Sequence, residues 1–122
     1  MYKESIKEIE GVITNYFDGI FYGNVTKLKA CFLENAAIYG DIKGVEYLKN
    51  IYEYLEGVKN RQSPNDLNET FKMKIIGIDV MGKIAIAKLH VPMLGYNYYD
   101  YLSLAKVNNN WKIVNKLFTH EE

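Results

Sequence analysis

The sequence predicts an α+β domain with three N-terminal helices packed on one face of a curved, mostly antiparallel sheet. Three observations predict it. Apolar residues recur every three or four positions between Ile6 and Leu55, the spacing of buried helical faces. From Phe71 onward the period changes to two, the spacing of strands. Between these regimes, residues 59–68 are polar and carry one of the two prolines, which reads as a loop. At 122 residues the chain forms one domain, residues 1–122, with a single sizeable core.

The first helix, residues 5–22, opens at Ser5 with Glu8 three positions on, a capping box. Ile6, Ile9, Ile13, Tyr16, Phe17 and Ile20 form its buried stripe. Gly23 closes it, and Asn24 caps a second helix over residues 24–33, whose inner face carries Leu28 and Phe32. A short strand follows at residues 35–40, then a turn at 41–44. The third helix covers residues 44–57 on a stripe of Val45, Leu48, Tyr52 and Leu55.

About four long strands complete the chain. Phe71, Met73 and Ile75 alternate with Lys72 and Lys74, and Gly77 suggests a bulge. Residues 84–91 place Ala85, Ala87, Leu89 and Val91 on one face and Ile84, Ile86, Lys88 and His90 on the other. The last two strands, residues 99–106 and 111–118, flank an asparagine-rich hairpin turn. Trp111, Ile113 and Leu117 fall on one side of the last strand, with Val114 and Phe118 on the other. A sheet backed by its own helices should expose a polar second face. Apolar residues on both sides predict that another subunit covers the outer face, through Val114, Phe118 and nearby tyrosines.

Fifteen basic residues balance fifteen acidic ones, so no net field draws the chain to nucleic acid or an anionic membrane. Arg61 is the sole arginine, which argues against bidentate arginine recognition of an anion. The single cysteine, Cys31, permits no intrachain disulfide and no thiolate zinc site, and reads as a buried filler. No apolar run reaches the roughly 20 residues of a membrane span. The N-terminus lacks an apolar signal region, so the chain reads as cytoplasmic. His90 reads as a surface or interface residue and His120 as part of the tail; neither has metal-ligand spacing to an acid or thiol. No metal and no cofactor are expected.

One carboxylate stands out. Asp100 shares a strand face with Leu102 and Leu104, and a carboxylate on a core-facing row is costly unless paired, protonated or facing a cavity. It could be a proton carrier, a ligand-orienting acceptor or a structural carboxylate bonded to Tyr or Lys. Tyr16 lies on the helical stripe, either as a satisfied core tyrosine or as a pocket wall. Asn115 shares the face of Trp111 and Ile113, where an inward amide needs partners. With eleven tyrosines in the chain, the expected function is binding of a flat, hydrogen-bonding small molecule. Its cavity is lined by Tyr16, Tyr39, Leu102 and Trp111, with Asp100 and Asn115 reading the polar edge.

Three segments also carry a family resemblance: residues 13–19 with Gly23 and Asn24, residues 35–40, and the pair Asp100-Tyr101-Leu102 with residues 111–116. In this order they resemble the nuclear transport factor 2-like superfamily, a cone-shaped, cystatin-like roll. Within it they are most similar to small bacterial proteins named for lumazine binding or for SnoaL. The resemblance implies a homodimer packed sheet to sheet and a pocket between the helices and the sheet. It implies that Tyr16 and Asp100 meet in that pocket, as a Tyr and a neutral Asp do in the oxyanion hole of ketosteroid isomerase. An isomerase or cyclase would need a carboxylate base as well, for which Asp41, one residue out of register, is the candidate. A dimeric protein-interaction module is the third reading, and it corresponds to a core filled by side chains.

Overall fold

The computed structural model describes residues 2–122. It contains three helices and one six-stranded sheet: α1 (Tyr2–Tyr22), α2 (Val25–Ala30), β1 (Phe32–Ile42), β2 (Val45–Asn50), α3 (Ile51–Asn60), β3 (Lys74–Met81), β4 (Ile84–Met93), β5 (Tyr96–Val107) and β6 (Asn110–Glu121). The strand order is β2-β1-β6-β5-β4-β3. All neighbours are antiparallel except β1 and β6, which run parallel. Among the described residues no helix is long and apolar enough to cross a membrane.

The expected arrangement of three N-terminal helices on a curved, cone-shaped sheet is corrected in two ways. Only α1 and α2 precede the sheet, because α3 comes after β1 and β2. The sheet has six strands and is open: β2 and β3 form its two edges and do not pair, so no closed roll results. The misread segment is Val45–Asn50. Its Val45–Leu48–Tyr52 spacing fits a helix, but Lys43 (φ 53°) and Gly44 (φ 80°) both adopt positive φ between the paired residues Ile42 and Val45. Two consecutive positive φ values make the tight hairpin turn whose twist matches antiparallel strands. The helix then starts late, where the Asn50 side chain accepts from the Glu53 backbone N–H and Glu53 caps the Asn50 N–H in return.

A second correction concerns β6. The β5–β6 register slips between Ser103 and Leu104, whose partners are Asn115 and Ile113, leaving Val114 as the extra residue. Beyond this bulge the alternation inverts. Trp111 and Ile113 face the core as expected, but Lys116 then points inward while Leu117 is exposed. Phe118 packs edge-on against Tyr47 and Tyr98 on the inner side and closes over Gly40, where an added Cβ would strike its ring. The Phe118 ring therefore packs inward, although the residue also borders the outer hollow.

The core lies between the helices and the inner sheet face. Ile9, Ile13, Tyr16, Phe17 and Ile20 of α1 pack over Ala87, Leu89, Leu102, Leu104 and Ile113, all buried. Leu28 of α2 approaches α1 closely enough that a Cβ at Gly19 would lie 2.8 Å from it.

Candidate functional site

The inward row of β5 runs Tyr98, Asp100, Leu102, Leu104, all buried. Strand alternation puts Asp100 in that row, and its cross-strand neighbours are Leu89 and Phe118. Tyr16, three residues after Ile13 on the α1 stripe, projects onto the same spot and is wholly buried. Its hydroxyl donates to Asp100 Oδ2 at 2.6 Å.

The bulge in β6 brings Lys116 to the other side of the carboxylate. Its Nζ lies 3.9 Å from Asp100 Oδ2 and donates to the Tyr54 hydroxyl of α3 at 3.0 Å. The ammonium is also caged by rings, 4.6 Å from Tyr54, 5.2 Å from Phe118 and 5.3 Å from Tyr16. Asp100, Lys116 and Tyr16 thus form a dry polar cluster inside an apolar core.

Electrostatics follow from that burial. Loss of solvent raises the Asp100 pKa above its ordinary value, and Lys116 and the Tyr16 hydrogen bond only partly oppose it. Tyr16 is pushed well above 10 by burial and by the adjacent carboxylate, so it stays a neutral donor. Burial works against the Lys116 ammonium, but Tyr54 and Asp100 outweigh it and its pKa is raised. Cys31, by contrast, is a thiol that burial pushes up to about 11, which leaves it unreactive.

Beside the cluster is a cavity of about 50 Å³ lined by Ile42, Tyr47, Tyr54, Arg61, Met93, Tyr98, Asp100, Lys116 and Phe118. Ile42, Tyr47, Arg61 and Phe118 are only partly buried, so the cavity lies just beneath the surface there. Arg61 immediately follows α3, as its C-cap. Its Nε and Nη2 are enclosed and have no hydrogen-bond partner among the described residues.

Of the residues singled out in the sequence, the fold unites Tyr16 and Asp100, with Leu102 next along the row. The others lie elsewhere. Trp111 lies in a separate cleft of about 370 Å³ with Gly11, Val12 and Cys31. Tyr39 and Asp41 line a hollow of about 640 Å³ on the outer sheet face, beside Lys88, Tyr101 and Leu117. Asn115 is on that outer side too, paired with Ala37 and Ser103, because the bulge turned it away from the row of Ile113. Lys116 and Tyr54 were missed, and Arg61, whose isolation argued against bidentate recognition of an anion, lines the cavity with two unpartnered donors. The bulge that turns Lys116 inward has no sequence mark, and Arg61, which the sequence places in the polar 59–68 loop, joins the cavity as the C-cap of α3.

The profile of the family described as "Putative lumazine-binding" matches residues 4–119. No curated protein matches the chain. Solved structures do. An NTF2-like protein of unknown function from Silicibacter pomeroyi DSS-3 superposes with a TM-score of 0.89 at 19% identity, covering 99% of each chain. One from Shewanella baltica OS155 gives 0.88 at 23% identity, covering 100% of this chain and 98% of that one. A third, from Methylobacillus flagellatus KT, gives 0.87 at 21% identity, with 98% and 94% covered.

Proposed function

This chain belongs to the lumazine-binding-like family of the NTF2-like superfamily, and from that premise we propose that it binds a small molecule at the polar end of its inner sheet face. One observation carries the reading: a carboxylate and an ammonium, both nearly solvent-free, stand beside a cavity in an otherwise apolar core. A buried ion pair is often no more stable than apolar residues of the same volume, so stability alone gives little reason to keep one. A ligand that uses these groups for orientation does. Drug-sized ligands fill about 300–1,000 Å³, far more than the 50 Å³ here. The cavity therefore holds a polar head, and the rest of the ligand lies toward Ile42, Met93 and Tyr47.

The test is a thermal-shift screen with pterins, flavins, steroids and polyketide-like compounds. It is run on the wild type, on Asp100→Ala and on Ile42→Trp, which plugs the rim and leaves the buried cluster intact. Hits that stabilise all three proteins equally would refute this site.

The short Tyr16–Asp100 hydrogen bond favours a second reading, an isomerase- or cyclase-like enzyme in which the pair stabilises a developing enolate oxygen. Asp41 is no longer a base for that chemistry, since it lines the opposite face of the sheet. The enzyme reading therefore requires another base, and none of the cavity's other residues is a carboxylate.

For the outer face we propose a homodimer. Tyr39, Ile76, Ile86, Tyr101 and Leu117 are each more than two-fifths exposed there, and neighbouring exposed apolar side chains mark an interaction surface. Light scattering should give twice the 14.1 kDa chain mass; a monomer at micromolar concentration would refute the dimer.

A further inference from the structure

We propose that the ligand carries a carboxylate seated between Arg61 and Lys116, with an apolar or aromatic body directed to the rim. This rests on the small-molecule reading above and narrows it to a chemical class.

The charge count points to it. Asp100 supplies one negative charge to the cavity, and Lys116 stands 3.9 Å from it. Arg61 adds a second positive charge to the same lining and forms no ion pair among the described residues. The cavity is one negative charge short of neutral. A guanidinium stays charged at any relevant pH, so it cannot relieve its burial by losing a proton.

Hydrogen bonding points the same way. Arg61 Nε and Nη2 are two donors of one planar fork, and both are enclosed without a partner. Buried donors without acceptors are rare and costly. Two adjacent N–H groups of a guanidinium match the two oxygens of a carboxylate in spacing and plane. Lys116 already gives one hydrogen bond to Tyr54, and an ammonium has three donors, so it retains capacity for a ligand oxygen.

Size and surroundings set the rest. A cavity of about 50 Å³ suits a three-atom carboxylate head. One missing charge suits a monoanion better than a phosphate dianion. Ile42, Met93, Tyr47, Tyr98 and Phe118 leave the remaining wall apolar and aromatic, which fits a hydrocarbon or aryl body.

The test compares acids with their uncharged isosteres: benzoate and butyrate against benzamide and butyramide, followed by ¹H–¹⁵N NMR. Arg61 is the only arginine, so its Nε–H signal is unique and reports the site without ambiguity. The expected result is that both acids shift this signal and that the better one binds at least about tenfold more tightly than its amide. Arg61→Gln, with its folded spectrum retained, should abolish that preference. Equal binding of acid and amide would overturn the carboxylate assignment. So would acid binding that leaves the Arg61 signal unmoved. Either result leaves the small-molecule reading standing if Ile42→Trp blocks the binding seen. If neither these probes nor the screened compounds bind, both proposals fall.

Discussion

The two ends of the inner sheet face are equally dry and chemically opposite. Toward the β5–β6 turn, Ile9, Ile13, Leu28, Leu104 and Ile113 are all within 1% of full burial, and none of their side chains is polar. Toward the other end, Tyr16 reaches the same dryness and Asp100 and Lys116 come close, but they hold a hydroxyl, a carboxylate and an ammonium. At the apolar end burial itself stabilises, at roughly 25 cal/mol per Å² removed from water. At the polar end burial is a cost that the partners must offset. Strand β6 runs through both, and the bulge at Val114 marks the change from Ile113 to Lys116. The difference teaches that one strand can serve stability and recognition in turn once its register shifts.

The sharpest break in this comparison is Asp100→Ala. It leaves Lys116 and Arg61 as buried cations without a counter-charge, and should cost about 3–5 kcal/mol in urea unfolding. The double variant Asp100→Leu/Lys116→Met should recover only part of that loss: it removes the stranded ammonium, but Arg61 keeps no counter-charge and the Tyr16 hydroxyl loses its acceptor. A single variant that costs nothing would mean that the polar end is wet.

Tyr16→Phe removes one donor to a charged acceptor and should cost about 1.5–3 kcal/mol. Since that hydrogen bond lowers the Asp100 pKa, the carboxyl signal should titrate at higher pH in the variant by ¹³C NMR. A titration unchanged from wild type would sever the link between α1 and β5.

The smallest effects separate the ends by pH. Ile113→Val should cost about 1 kcal/mol, by the same amount at every pH. At the polar end Asp100 has a folded pKa above its ordinary 3.8, so the folded state binds that proton more tightly than the unfolded state. Its contribution is full below 3.8 and declines as pH rises toward the folded pKa. Denaturation midpoints of wild type and Asp100→Asn should diverge across that window. Parallel curves would contradict the raised pKa.

Much of this arrangement was legible in the sequence. The α1 stripe, the alternation of β4 and β5, and the paired asparagines of the β5–β6 turn all follow from short-range patterns. Asn108 and Asn109 take positive φ between the partners Val107 and Asn110. The β1–β2 hairpin was not legible, because Val45, Leu48 and Tyr52 satisfy helical spacing as well as strand alternation allows. Lys43-Gly44 and the Asn50–Glu53 capping box outweighed that spacing. Both signals were in the sequence, but local, and only the antiparallel pairing of Val45 with Ile42 makes them decisive.

By itself the sequence determined that Asp100 shares one face of β5 with Leu102 and Leu104, because alternation is a property of consecutive residues. It also determined that Tyr16 belongs to the buried side of α1, because the helical period is equally local. The tertiary structure alone decided what surrounds that carboxylate. A bulge is settled by pairing with a neighbouring strand, and one extra residue sends every later side chain to the opposite face. That shift exchanged Asn115 for Lys116. The packing of α3 against the sheet then delivered Tyr54 and Arg61 from a segment some forty residues away in sequence from Asp100. Charges brought together over such separations have no local pattern, so only the folded chain reveals them.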